Sequence, residues 1–464
     1  MLYKVGENLK AKEYFGRALA ITTEIGDRRG EASCYGNLGT VFKSLGQYNK
    51  AKEYLQKALV ITTEIGDRKG EASCYGNLGT VFQSLGQYNK AKKYLEKALV
   101  IKTEIGDRKG EASYYGILGI VFYSLSQYDK AKEYLQKALV ITTEIGDRDG
   151  EATDYGNLGT VFKLLGQYDK AKEYYQKALV IKTEIGDRKG EASCYGNLGT
   201  VFKSLGQYEK AKEYYQKALV IRTEIGDRQG EATDYGNLGI VFKSLGQYDK
   251  AKEYYQKALV ITTEIGDIKG GASRYGNLGN VFLSLCQHDK AKEYFQKALV
   301  ITTEIGDKNG EASCYGYLGT VFYSLGQYKK AKEYHQKALV ITTEIGDRKG
   351  EASCYGNLGT VFLSLGQYDK AREYHQKALV IRTEIGDRKG EAADYGNLGT
   401  LFNSLGQYDK AKEYLQKALV IGTEIGDREG EATDYGNLGT VFQSLGQYDK
   451  AKKYLQKALV IKTE

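Results

Sequence analysis

Proline is absent from all 464 residues. No Ser/Gly-rich linker or shift in composition interrupts the chain, so no domain boundary is expected. Histidine is almost absent, at three residues (His288, His335 and His375), which leaves general acid–base catalysis little to use. The sequence has no G-x-x-x-x-G-K-S/T, no H-E-x-x-H and no G-x-S-x-G. These gaps predict a non-enzyme without metal or cofactor. Long apolar runs are missing too. The longest is ALVI, as at Ala58–Ile61, against the roughly 20 apolar residues that a membrane helix needs. The opening MLYKVGENLK has no apolar h-region, and no N-x-S/T sequon occurs. Charge is nearly balanced: 67 basic and 59 acidic residues leave +8. Spread over this length, that favours acidic partners mildly and lacks the dense basic patch that nucleic acid requires. Cysteine is sparse, at six. Cys34, Cys74, Cys194, Cys314 and Cys354 hold equivalent positions, so stacking would set neighbours roughly 10 Å apart, too far for a disulfide. Free thiols and the missing leader predict a cytoplasmic protein.

What the chain does contain is itself, many times over. The block from Glu31 to Gly70, EASCYGNLGTVFKSLGQYNKAKEYLQKALVITTEIGDRKG, restarts at Glu71, Glu111 and onward to Glu431 without insertion or deletion; only Gly271 changes the first residue. A fixed period of this size marks a stack in which each unit needs its neighbour to bury its apolar face. The expected organisation is one solenoid over 1–464, with a partial first repeat at 1–30, ten complete repeats at 31–430 and a truncated last repeat at 431–464. Apolar content is ample for a core, which argues against global disorder.

Within a unit, Ala32, Tyr35, Leu38, Val41, Phe42 and Leu45 recur at steps of three and four and predict an amphipathic helix, A, ended by Gly46. Ala51, Tyr54, Leu55, Ala58, Leu59, Ile61 and Ile65 predict a second, B. Gly66 is expected as a left-handed C-cap and Asp67 as the N-cap of the next A. Asp129 and Asp169 place an acid at the positive end of B, where Asn49 can cap instead. Glu53 and Lys57 form an i,i+4 pair in the favourable order. Gly39, Ala51 and Ala58 let A and B approach closely. Gly36 sits inside A and is expected either to permit close backbone approach or to face a ligand. The count is twelve B and eleven complete A helices, with Met1–Val5 aligned on the second half of an A helix.

Tyr35, Leu38, Gly39, Phe42, Ala51, Leu55 and Ala58 fall at the spacing of the tetratricopeptide repeat (TPR) signature, and the chain resembles that family throughout. The period of 40 and the missing terminal proline depart from the usual unit. The longer unit, with GDRxGEA before A and YGNLG inside it, is similar to the Pins/LGN branch of G-protein-signalling modulators. It also resembles the TPR arrays of CHAT-associated and NTPase-associated proteins. The resemblance implies an all-α, right-handed α-solenoid, a superhelix of tandem helix-turn-helix units, whose concave face is lined by Ser33, Gly36, Asn37, Thr40, Lys43 and Ser44.

Asn37 recurs as Asn77, Asn157, Asn197, Asn237, Asn277, Asn357, Asn397 and Asn437, interrupted by Ile117 and Tyr317. An amide ladder can hold the backbone of an extended peptide without reading its sequence. In Pins/LGN-type arrays the matching Asn contacts peptide. It also belongs to the repeat consensus and can bond the neighbouring helix, so both readings stay open. The Lys43 position varies most. Lys163, Lys203 and Lys243 make a basic stripe, and Leu283 to Leu363 follow as an apolar part. This order suits a partner with an acidic segment before an apolar one, although a solvated lysine face fits as well. Asp154, Asp234, Asp394, Asp434 and Arg274, at the Cys34 position, are expected at the groove edge. His335 and His375 replace Leu55-type residues and are expected as packed imidazoles.

These readings predict a non-catalytic interaction scaffold or adaptor that binds extended or helical peptide segments of acidic or repetitive partners. Resemblance implies polarity or G-protein signalling, although GoLoco motifs are absent. The alternative is the ligand-sensing arm of a larger CHAT- or NTPase-type effector. Neither end carries a polar capping helix, which fits a fragment of a longer protein or a chain associating end to end.

Overall fold

The computed structural model describes residues 2–463 as twenty-three helices joined by short turns, with no strand among the described residues. They form two compact units, Met1–Leu245 and Gly246–Glu464. Each unit is a stack of helix pairs, the all-α TPR solenoid architecture.

The repeat at Arg28–Ser44 (A) and Tyr48–Glu64 (B) shows why the sequence folds this way. Helix A starts at Arg28, four residues before its first apolar position. Asp27 accepts a hydrogen bond from the Gly30 amide and so satisfies one of the orphan donors of the first turn. Gly46 and Gly66, with φ of 73° and 68°, end the two helices in the left-handed region. Ser126 and Cys286 hold the same turn position at φ 58° and 56° without glycine's freedom.

Two expectations about helix ends need correction. Asn49 does not cap B: Gln47 is the cap residue and makes no side-chain bond, while Asn49 lies inside the helix. The expected break after Val5 is also missing, because Leu2–Glu24 is one continuous helix. Its sequence reads Gly6-Glu7-Asn8 where most other repeats read Gly-Gln-Tyr, and helix continuation wins there.

Pairing is set by size. A Cβ built on Gly39 would fall 2.6 Å from Leu55 Cγ and 3.3 Å from the Ala51 carbonyl oxygen, so glycine is required for the A–B crossing. Tyr175, Tyr215, Phe295, His335 and His375 occupy the Leu55 place over Gly159, Gly199, Gly279, Gly319 and Gly359. His335 is a packed imidazole, its pKa lowered to about 4 by burial. The core is continuous between repeats in the first unit, running from Phe82 through Leu118, Leu135 and Leu158 to Val201. Each buried Leu there contributes about 1.5–3 kcal/mol. Phe42, Tyr35 and Tyr54 pack as a ring cluster (centroids 5.0 and 5.9 Å), with Lys57 Nζ 5.5 Å from the Tyr54 centroid. Arg28 bridges Glu31 at 2.8 Å and Glu64 at 2.5 Å, tying the start of A to the end of B. Arg148 does the same with Glu151 and Glu184. The arms to Glu64 and Glu184 are exposed, so register rather than stability is their main contribution.

Candidate functional site

Consecutive A helices approach one another directly, as Arg28–Ser44 does with Arg68–Ser84, and consecutive B helices do so less. The A side is therefore the tight side of each stack. A cleft opens there between neighbouring A helices. In the first unit Ser33, Gly36, Asn37 and Thr40 form one wall and Gly70, Ser73, Cys74 and Asn77 the other, enclosing about 380 Å³. The second unit repeats the cleft at Gly276 and Asn277 (about 220 Å³) and at Gly396, Asn397 and Asn437 (about 340 Å³).

Asn37, Asn77, Asn277, Asn397 and Asn437 thus stand on cleft walls. Asn157, Asn197, Asn237 and Asn357 hold the same helix position, and all nine ladder residues reach solvent. None of the nine side-chain amides bonds another protein group among the described residues. Thr40 and Ser44 differ. Their hydroxyls donate to the Gly36 and Thr40 carbonyls of their own helix, at 3.2 and 3.1 Å, so those donors are spent.

Gly36 overturns one of its expected roles. A Cβ there would meet nothing within 4 Å, and the same holds at Gly156, Gly276, Gly316 and Gly436. No backbone approaches closely at these five positions, although at Gly76 the Tyr114 hydroxyl occupies the space a Cβ would need and glycine there does admit close packing. The glycine keeps the cleft open.

The lysine position lies further along A. Lys43 Nζ donates to Thr80 Oγ1 across 3.1 Å. Lys163, Lys203 and Lys243 are half-buried, and none has a carboxylate within ion-pair distance among the described residues. Burial holds all three below the usual lysine range, and for Lys203 the charge of Lys163 adds to the effect.

The Cys34 position is not the groove edge. Its cysteines and aspartates form the buried floor of the seam between repeats, and the aspartates face the preceding B helix. Cys74, Cys194, Cys314 and Cys354 are free thiols pushed up to about 11 by burial, hence unreactive. Where aspartate takes the place, it faces the residue twelve positions earlier, on B. Thr142 Oγ1 donates to Asp154 at 3.2 Å. Arg222 Nε lies 3.1 Å from Asp234 and Arg382 Nε 3.3 Å from Asp394. His375 Nδ1 is 3.3 Å from the other Asp394 oxygen. Sequence reasoning missed these pairs, although arginine at 222 and 382 accompanied by aspartate at 234 and 394 was a legible signal. Among the described residues no cluster could hold a metal ion and no helix is long and apolar enough to cross a membrane.

The family model Tetratricopeptide repeat matches residues 1–64, 44–104, 110–184, 190–264, 272–344, 325–384, 351–421 and 390–464. No curated protein matches the sequence. Aspartyl phosphate phosphatase F from Bacillus subtilis is similar in structure at 16% identity and a TM-score of 0.52, over 78% of this chain and 94% of its own. A Rap protein solved with competence and sporulation factor is 17% identical with a TM-score of 0.52, over 76% and 98%. A signal transduction ATPase with numerous domains (STAND) from Pyrococcus horikoshii, with a tetratricopeptide repeat sensor, is 17% identical with a TM-score of 0.52. Here 82% of this chain matches 55% of that protein. At these identities the likeness is one of fold alone.

Proposed function

The chain belongs to the tetratricopeptide repeat family, and from that premise we propose that it is a cytoplasmic, non-catalytic scaffold holding extended peptide segments along the A-helix clefts. The observation that carries this reading is the row of unengaged amides at Asn37, Asn77, Asn157, Asn197 and Asn237 in one unit and Asn277, Asn357, Asn397 and Asn437 in the other. Each offers two donors and an acceptor to a peptide backbone. Lys163, Lys203 and Lys243 add a preference for acidic segments, since an anion restores the counter-charge that burial denies them. The near-identity of the repeats fits a repetitive partner, and the weak overall charge disfavours nucleic acid.

Within this class the scaffold serves polarity or G-protein signalling, as its Pins/LGN-like unit implies. The second reading is the sensor arm of an NTPase- or CHAT-type effector. It is favoured by the similarity to a STAND ATPase whose repeats are a sensor.

The test is binding of an extended Glu/Gly-rich peptide, read by fluorescence anisotropy. The triple variant Lys163→Glu, Lys203→Glu, Lys243→Glu is expected to weaken it by about tenfold or more, which is 1.4 kcal/mol or more. The double variant Asn197→Ala, Asn237→Ala is expected to weaken acidic and neutral peptides alike. Equal affinity in all three proteins defeats the reading.

A further inference from the structure

In two repeats the seam between A helices holds an internal guanidinium. Arg382 reaches from its B helix so that Nε lies 3.3 Å from Asp394 and Nη1 donates to the Gly390 carbonyl at 2.6 Å. Its other tip lies beneath the cleft glycine, 3.4 Å from where a Cβ on Gly356 would stand. Arg222 likewise places Nε 3.1 Å from Asp234 and its tip 3.6 Å from the equivalent point on Gly196. The seam thus accommodates one guanidinium in a socket between a floor aspartate and a glycine roof, and in the Arg382 copy a helix carbonyl accepts from it.

At the cleft between the A helices Arg388–Ser404 and Arg428–Ser444 the socket has lost its arginine. Gly422 stands where Arg222 and Arg382 stand, and the cleft of about 340 Å³ is lined by Gly396, Gly422, Gly430 and Asp434. Asp434 is 7% exposed and its carboxylate meets no hydrogen-bond or ion-pair partner among the described residues. Asp154, at the same position, at least has the Thr142 hydroxyl. The surroundings are acidic as well. Lys389 is paired with Asp427 at 3.2 Å, and Glu429 on the same wall has no cation within ion-pair distance. Burial raises the Asp434 pKa to about 7, and the charge of Asp427 adds to it.

We infer that this cleft is a binding site for the arginine side chain of a bound peptide, whose guanidinium takes the place that Arg222 and Arg382 fill from within. A planar fork suits an aspartate and a carbonyl side by side, which an ammonium cannot match. The inference rests on the peptide-groove reading only for the source of the arginine.

The experiment measures binding of the blocked peptide Gly-Ser-Arg-Ser-Gly to the full chain by ligand-observed NMR. Its citrulline and lysine counterparts run beside it. The arginine peptide is expected to bind about tenfold or more tighter than the citrulline peptide. Asp434→Asn is expected to remove that margin. Gly422→Arg is expected to block the site with its own guanidinium while raising the melting temperature, which also shows that the variant folds. A Cβ at Gly422 meets its nearest atoms at 3.6 and 3.7 Å, ordinary contacts. No binding of the arginine peptide, equal binding of citrulline, or binding unchanged in both variants overturns the inference. The acidic peptide bound through Lys163, Lys203 and Lys243 should ignore Gly422→Arg. Absence of acidic-peptide binding to the parent chain alone overturns the groove reading, and absence of arginine-peptide binding to the parent chain alone overturns the socket.

Discussion

Gly39 lies so close under Leu55 that an added methyl would stand 2.6 Å from Leu55 Cγ, whereas three residues earlier the same methyl on Gly36 meets nothing within 4 Å. Two glycines on one helix therefore carry opposite constraints. Alanine is favoured over glycine in a helix by about 1 kcal/mol. Gly36→Ala should therefore stabilise by up to about 1 kcal/mol. Leu55 is fully buried and cannot yield, so Gly39→Ala should destabilise by about 1–3 kcal/mol despite the same gain. Thermal melts of the two variants decide the matter, and shifts of the same sign would contradict the assignment.

A second pair of substitutions acts on the turns. Ser126 and Cys286 adopt φ of 58° and 56°, where nine equivalent A-to-B turns have glycine. Left-handed backbone costs a non-glycine residue roughly 1–2 kcal/mol, offset in part by glycine's larger unfolded-state entropy. Ser126→Gly and Cys286→Gly should each raise the melting temperature slightly. Cys286 is also the one exposed thiol among the six, so its replacement should abolish rapid labelling of the native chain by a thiol reagent. Melting temperatures that fall would show that local contacts of these side chains outweigh the strain.

The helical period, both glycine caps, the Asp27-type N-cap and the Gly39-type crossing were legible in the sequence, because each rests on residues close together in the chain. The ends of B were not. Asn49 looks like a cap in composition, but the turn after Gly46 is too short to leave it outside the helix. Gly36 was legible only as an anomaly, since its role depends on what the next repeat does not place there. The buried Asp234 and Asp394 were misplaced at the groove edge. An aspartate suggests surface until its partner is found, and Arg222 and Arg382 lie on a different helix in the preceding repeat.

Asp154 provides a pH test. Burial raises its pKa to about 7, with the Thr142 hydroxyl opposing and the charge of Asp147 adding. Unfolded aspartate titrates near 3.9. The folded value is the higher one, so the stability present below about pH 4 is lost as pH rises through about 7. Asp154→Asn removes that loss. The variant should be more stable than the parent at pH 8, by about 2–4 kcal/mol from the size of the shift, and should match it near pH 4. Denaturant titrations at the two pH values measure the gap. A gap that does not change with pH would trace the effect to packing rather than ionisation.

The last helix makes the nearest-neighbour character of the stack measurable. Leu55 is fully buried because an A helix packs on each side of its B helix, whereas its counterpart Leu455 is 44% exposed and Leu459 63%. In the first unit Leu95, Leu135 and their partners are all closed off by the following repeat. In a stack whose units contact only their neighbours, stability is a sum of unit and interface terms, so a helix with one interface opens before a helix with two. Amide exchange in Tyr448–Thr463 should therefore be faster than in Tyr88–Glu104 by more than their similar sequences allow. Unfolding followed by probes at the two places should not coincide. Covering Leu455 and Leu459 by appending one further 40-residue unit, a copy of residues 425–464, should slow exchange in the former end helix and transfer the fast exchange to the new one. Uniform protection along the chain, or a single transition seen identically by both probes, would mean that the repeats melt as one cooperative body.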